Sequence, residues 1–95
     1  MSVETPAGPA AHVVWAKGGH AEVVSVVDDA IVLRSTTPAP PGARLEATLA
    51  GDPGVPVKLK SHGTHREADG SFTLKGRLID APRPLRDRLA ALASA

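Results

Sequence analysis

Ninety-five residues, 42% apolar and 22% charged, suffice for one domain with one modest core, burying roughly 60–65% of the unfolded surface. A formal charge of +1 and the absence of cysteine argue against a chain given over to nucleic acid or membrane surfaces, and exclude a disulfide framework or a thiolate metal site. The only large aromatics are Trp15 and Phe72, so the core has to be built from small aliphatic side chains.

Residues Met1 to Ala11, with Pro6 and Pro9, read as a flexible leader ahead of a domain over 12–95. His12 to Lys17 (HVVWAK) predicts a first strand, and Gly18-Gly19 a turn. Ala21 to Val27 predicts a second strand with Val23, Ser25 and Val27 on one face. Asp28-Asp29 turns the chain into a third strand, Ala30 to Arg34. Pro38, Pro40 and Pro41 make Ser35 to Gly42 an extended connection. Ala43 to Leu49 has helical propensity, yet Leu45, Ala47 and Leu49 alternate with Glu46 and Thr48 between glycines, which favours a strand. Gly51 to Gly54 (GDPG) predicts a turn, and Val55 to Arg66 a long fifth strand. Asp69-Gly70 predicts a two-residue hairpin loop. Ser71 to Ile79 follows as a sixth strand with Phe72, Leu74, Gly76 and Leu78 inward. From Arg83 to Ala95 the period becomes helical, with Leu85, Leu89 and Leu92 on one stripe and a helix over about 83–93. Pro82 and Pro84 suit its first turn, and Asp80 is a candidate cap. The fold class expected is mainly β: a small six-stranded antiparallel β-barrel with one C-terminal α-helix over an opening or a face.

Catalysis has little to build on. None of Ser2, Ser25, Ser35, Ser61, Ser71 and Ser94 lies in a strained nucleophile elbow. Ser61 adjoins His62, but adjacent strand residues point to opposite faces. Asp28-Asp29 reads as a solvated turn. His12, His20, His62 and His65 lack the spacing and the companion ligands of a zinc site. Gly18-Gly19 lacks the spacing of a phosphate loop. No catalytic residue, metal or cofactor is therefore expected. No apolar run approaches the ~18 residues of a membrane span, and no basic segment with an apolar stretch follows Met1. These features predict a cytoplasmic protein without membrane insertion.

A two-residue loop at Asp69-Gly70 would set Arg66 opposite Thr73, Thr64 opposite Lys75 and His62 opposite Arg77. Lys58, Lys60, Arg66, Lys75 and Arg77 would then share one outer face, a candidate partner-binding surface for an acidic protein or a nucleic acid. The plainer reading, which the pattern alone favours, is a solvated strand face whose lysines discourage aggregation. No aromatic residue is interleaved there to stack bases.

From Ala21 to Leu92, about three-quarters of the chain, the order of features resembles the PilZ domain, a bacterial module known as a receptor for cyclic di-GMP. The resemblance lies in AIVLRS (Ala30 to Ser35), the Pro-containing loop to Gly42, GARLEATL, the long hairpin and PLRDRLAAL. It implies a six-stranded barrel with a C-terminal helix. The ligand motifs of the family are degraded. In place of an early R-x-x-x-R, the first arginine is Arg34, and Lys17 is the only cation before it. The D/N-x-S-x-x-G motif falls on Ser25, Val27 and Ala30, none of which keeps the family residue. One ammonium cannot reproduce two forked guanidiniums, and Asp28 and Asp29 repel a dianion. The resemblance thus implies a degenerate member that does not bind cyclic di-GMP. Such a member would act as an adaptor through protein–protein contacts in bacterial signalling or motility. Its surfaces would be the basic hairpin face, exposed edge strands or the helix. The alternatives are a cyclic di-GMP receptor using Lys17, Arg34 or the basic hairpin as atypical ligands, and a small nucleic-acid-binding barrel using Lys58, Lys60, Lys75 and Arg77.

Overall fold

The computed structural model describes residues 12–50 and 52–94; the expected leader lies outside them. The elements run β1 (Val13–Trp15), β2 (His20–Val27), β3 (Ala30–Ser35), β4 (Arg44–Leu49), β5 (Asp52–Arg66), β6 (Phe72–Ile79) and α1 (Arg83–Ser94). Every strand pairs antiparallel, in the order β1-β2-β3-β6-β5-β4, and the β1–β4 pair closes the barrel. Ala43 to Leu49 is a strand apart from its first residue. Ala47 and Leu49 are buried while Arg44 and Glu46 are exposed, the period of two that decided against a helix. Closure abolishes open edges, so the edge strands offered by the sequence are no longer available as a docking surface. The tip of β5, Gly63 to Arg66, runs past the β4 ladder and pairs with β6 alone, and β2 beyond Ala21 runs past β1 and pairs with β3 alone, where α1 packs against it.

Three local expectations are corrected. In β2, Val23 pairs with Leu33 but Ser25 with Val32, which makes Val24 a bulge. The extra residue reverses the alternation. Val26, not Val27, packs on the core, and Val27 is 68% exposed, so Val23 and Val27 do not share a face. At the start of β5, Leu49 pairs with Asp52 and Thr48 with Pro56. The strand therefore begins three residues before Val55, through a bulge that accommodates residues poor at laddering. The β5–β6 connection is a loop of Ala68, Asp69 and Gly70, because Glu67 N–H donates to Ser71 C=O at 2.8 Å and Gly70 N–H to Glu67 C=O at 3.1 Å. Gly70 takes φ 89°, the left-handed residue that such three-residue hairpins require.

Asp69 ties this loop. Its Oδ1 accepts from Ser71 Oγ at 2.6 Å and from Ser71 N at 2.9 Å. The Ser71 hydroxyl bond, with the backbone bond behind it, holds the Asp69 carboxyl below its ordinary value of 3.8. A carboxyl lowered in the folded state contributes stability above its unfolded pKa and loses it as pH falls through the folded pKa. Ser71→Ala is expected to bring the Asp69 titration back up towards 3.8, read from its carboxyl carbon shift by NMR. An unchanged titration would show that the hydroxyl does not hold the turn.

The two mouths of the barrel are sealed differently. At the end where β2 and β6 finish, α1 packs against β2 and drives Leu89 to 0% exposure, with Leu85 and Leu92 half-buried beside it. Arg88 reaches Asp52 at 3.1 Å across the start of β5. The helix starts from Pro82, whose carbonyl accepts from Leu85 N and Arg86 N at 3.0 and 3.1 Å. Asp80 instead makes a left-handed turn at φ 50°, so the expected cap is not formed by its side chain. At the other mouth the Pro-rich connection folds inward and Ala39 is buried. Two buried serines hold it: Ser61 Oγ donates to Ala39 C=O at 3.2 Å, and Ser35 Oγ to Thr37 C=O at 2.8 Å while accepting from Trp15 Nε1 at 2.9 Å. Among the described residues no helix is long and apolar enough to cross a membrane.

Candidate partner-binding face

The outer surface of β4, β5 and β6 is set by alternation around a core of small side chains. Val57, Leu59 and Ser61 point in, so Lys58 and Lys60 point out; Leu74, Gly76 and Leu78 point in, so Lys75 and Arg77 point out. All four cations are exposed. Arg66 does not join them. Pairing shifts between Ser61/Gly76 and Gly63/Lys75, which leaves His62 as a bulge. Arg66 then lies opposite Phe72, on the parity of Leu74 at the loop end of the hairpin. With the three-residue loop, this bulge replaces every pair expected from the sequence: Arg77 faces Lys60, Lys75 faces Gly63, and Thr73 faces His65.

The actual register aligns charge more strongly than the expected one. Arg44 pairs with Lys60, and Lys60 with Arg77, so three cations stand side by side across three strands. Arg44 is absent from the stripe read from sequence, because its place depends on how β4 meets β5. The neighbouring row holds Lys58 opposite Glu46, and Lys75 lies between Val32 and Gly63. Arg77 donates from Nε to Asp29 Oδ2 at 2.7 Å. Arg44 and Lys60 have no ion pair among the described residues. Like charges directly opposite on a sheet destabilise it by a few tenths to about 1 kcal/mol. A face kept polar for solubility alone has no need of such a row.

The positions on which the resemblance would place a ligand motif, Ser25, Val27 and Ala30, cluster elsewhere. Ser25 and Val27 lie on the outer parity beyond the β2 bulge, and Val27 pairs with Ala30 across the Asp28-Asp29 turn. Asp28 takes φ 56°, a conformation Asp tolerates better than most residues. Of the cations offered from sequence as atypical ligands, Arg77 of the basic hairpin pairs with Ala30 and bonds Asp29, but Lys17 and Arg34 are not near. Lys17 follows β1 at the mouth away from this hairpin, and Arg34 is at the far end of β3. The hairpin instead borders a recess of about 340 Å³ formed by Val26 and Asp28 with Arg83, Arg86, Asp87 and Ala90 of α1. Arg86 Nε is buried there without a hydrogen-bond partner. The two arginines were not singled out from sequence, since only the docking of α1 on β2 brings them to the motif.

The histidines do not gather. His12 is half-buried and its Nδ1 accepts from Val23 N at 3.0 Å, while His20, His62 and His65 are exposed. Among the described residues no three His, Asp or Glu side chains form a set that could hold a metal ion. Ser61 and His62, adjacent in sequence, lie in the core and on the bulge respectively. A scan against protein-family models finds no match to this chain, and searches of curated proteins and of solved structures find none either.

Proposed function

We propose that this chain is a non-enzymatic, PilZ-like adaptor that binds an acidic protein segment on the outer face of β4, β5 and β6. The Arg44–Lys60–Arg77 row carries the reading. An extended acidic segment laid across the strands would relieve the mutual repulsion of these cations, and its charge-assisted contacts are the stronger kind. The role in bacterial signalling or motility, and the cytoplasmic setting, rest on the sequence resemblance alone, which is an argument by analogy. Base stacking has no platform on this face: Trp15 is buried and Phe72 half-buried on the inner parity. This favours a protein over a single-stranded nucleic acid.

Fluorescence anisotropy of a labelled glutamate-rich peptide tests the reading. The peptide is expected to bind saturably and to weaken with salt, and Lys60→Glu is expected to weaken it by about tenfold or more. Mixed-sequence duplex DNA, bound more tightly than the peptide and with a steep salt slope, would move the reading to nucleic acid.

One observation favours a second reading, a cyclic di-GMP receptor with atypical ligands. Arg83 and Arg86 line the recess beside Ser25, Val27 and Ala30, and Arg86 Nε lacks a partner. Asp28 and Asp87 line the same recess, so two carboxylates offset two guanidiniums and leave nothing to hold a dianion. Calorimetry with cyclic di-GMP is expected to show no binding. Micromolar binding abolished by Arg86→Ala would establish the second reading in place of the first.

A further inference from the structure

The mouth of the barrel opposite α1 contains a cleft of about 660 Å³. Its walls are two turns pinned by hydrogen bonds. One is the β1–β2 turn, where Gly18 and Gly19 take φ 111° and 90° and Trp15 N–H donates to Gly19 C=O at 3.0 Å. The other is the Pro38-Ala39-Pro40 segment, held from inside by Ser35 and Ser61. The walls touch at one end: a Cβ on Gly19 would lie 2.7 Å from Thr36 Oγ1 and 3.1 Å from Thr37 Cγ2. The cleft is therefore formed in advance and does not depend on a ligand to order it.

Its chemistry is two-sided. Trp15, Leu45 and Leu74 line the inner part. The one polar atom of the Trp15 side chain is already bonded to Ser35 Oγ at 2.9 Å, which leaves the cleft an apolar ring. At the rim, Ala16 N–H donates to Glu46 C=O at 2.9 Å. This bond extends the β1–β4 ladder and brings Lys17 to the edge where Arg44 begins β4. Lys17 and Arg44 are exposed, both line the cleft, and neither has an ion pair or side-chain hydrogen bond among the described residues. Glu46 lines it as well. Two cations and one carboxylate leave a net single positive charge at the rim of an apolar pocket. That balance neutralises one anionic group and leaves any second one without a counter-charge.

We propose that this cleft binds a small amphipathic monoanion, an aromatic or aliphatic carboxylate or sulfonate. Its apolar body lies against half-buried Leu45 and the small exposed part of Trp15, with Leu74 buried behind them, and its anionic group lies between Lys17 and Arg44. A volume of this size is in the range of sites for drug-sized ligands, which are mostly apolar with a few placed polar groups. The cleft shares Arg44 with the partner face, and Lys17, which lies outside β4, β5 and β6, is what sets it apart.

The chain's single tryptophan sits in the cleft, so its emission reports occupancy directly. The probe is 1-anilinonaphthalene-8-sulfonate, with N-phenyl-1-naphthylamine as the same body without the anionic group. The sulfonate is expected to bind saturably at one site, with its emission rising as that of Trp15 falls. Lys17→Glu is expected to weaken it by about tenfold or more, Arg88→Gln, on α1 at the opposite mouth, to leave it unchanged, and the naphthylamine to bind more weakly than the sulfonate. Lys17 is exposed, so its reversal leaves the fold intact, which far-UV circular dichroism checks. Absence of saturable sulfonate binding would overturn the proposal. So would binding that quenches Trp15 equally in wild type and Lys17→Glu, with the naphthylamine as tight as the sulfonate.

Discussion

Leu89→Ala is expected to destabilise the domain by about 2–5 kcal/mol, the range for truncating a fully buried leucine. Leu89 is 0% exposed and is the residue of α1 that reaches the barrel core. Its removal takes away the transfer free energy of the side chain and leaves a cavity between helix and β2. The core offers little to refill that space, since its neighbours are strand residues fixed by closure. A domain of this size typically has 5–15 kcal/mol in all. At about 4–8 °C per kcal/mol for 60–100 residues, the thermal midpoint should fall by at least about 8 °C. Urea unfolding measures this directly. A loss below about 0.5 kcal/mol, the level of an ordinary surface change, would mean that α1 is not the lid described above.

Gly76→Ala is expected to cost about 1–3 kcal/mol through overpacking. Gly76 is buried on the inner side of β6, where β5 crosses closest. A Cβ there would lie 2.7 Å from Lys60 O and 3.0 Å from Leu59 Cδ1. The carbonyl is backbone within a ladder, so it cannot swing aside as a side chain would. Relief requires β5 to move at Lys60, which would also disturb the Arg44–Lys60–Arg77 row. Gly54→Ala is the matched control: the Cβ would meet Asp52 Oδ1 at 3.9 Å, an ordinary contact, and no stability loss of that size should follow. Equal stability of the two variants in urea would contradict the close approach of β5 and β6.

The architecture was largely legible from sequence, because a barrel strand buries alternate residues and a docked helix buries one stripe. Phe72, Leu74, Gly76 and Leu78 announce β6, and Leu85, Leu89 and Leu92 announce α1. The failures lie where one residue changes parity. In Val23-Val24-Ser25-Val26-Val27 either alternation presents valines to the core, so hydrophobicity cannot show that Val24 bulges. The bulge at His62 did leave a signal: Gly63, isolated within a strand and at φ 127°, is the residue such irregularities favour. Heeding it would have removed Arg66 from the basic face. The cations themselves were visible, but their alignment was not. Arg44 meets Lys60 because the pairing shifts where β4 runs into β5, Leu49 with Asp52 but Thr48 with Pro56, a shift that the connecting residues do not announce. Arg83 and Arg86 reach the β2–β3 hairpin for a similar reason, through the docking of α1.

The most direct test of the adaptor reading is to map a glutamate-rich peptide onto the isotopically labelled protein by NMR. The account predicts that amide shifts move with peptide concentration at Arg44, Lys58, Lys60, Lys75 and Arg77, and that Lys60→Glu suppresses the whole set together. Shifts centred on the β2–β3 hairpin and α1, or no shifts on β4, β5 and β6 at saturating peptide, would contradict it.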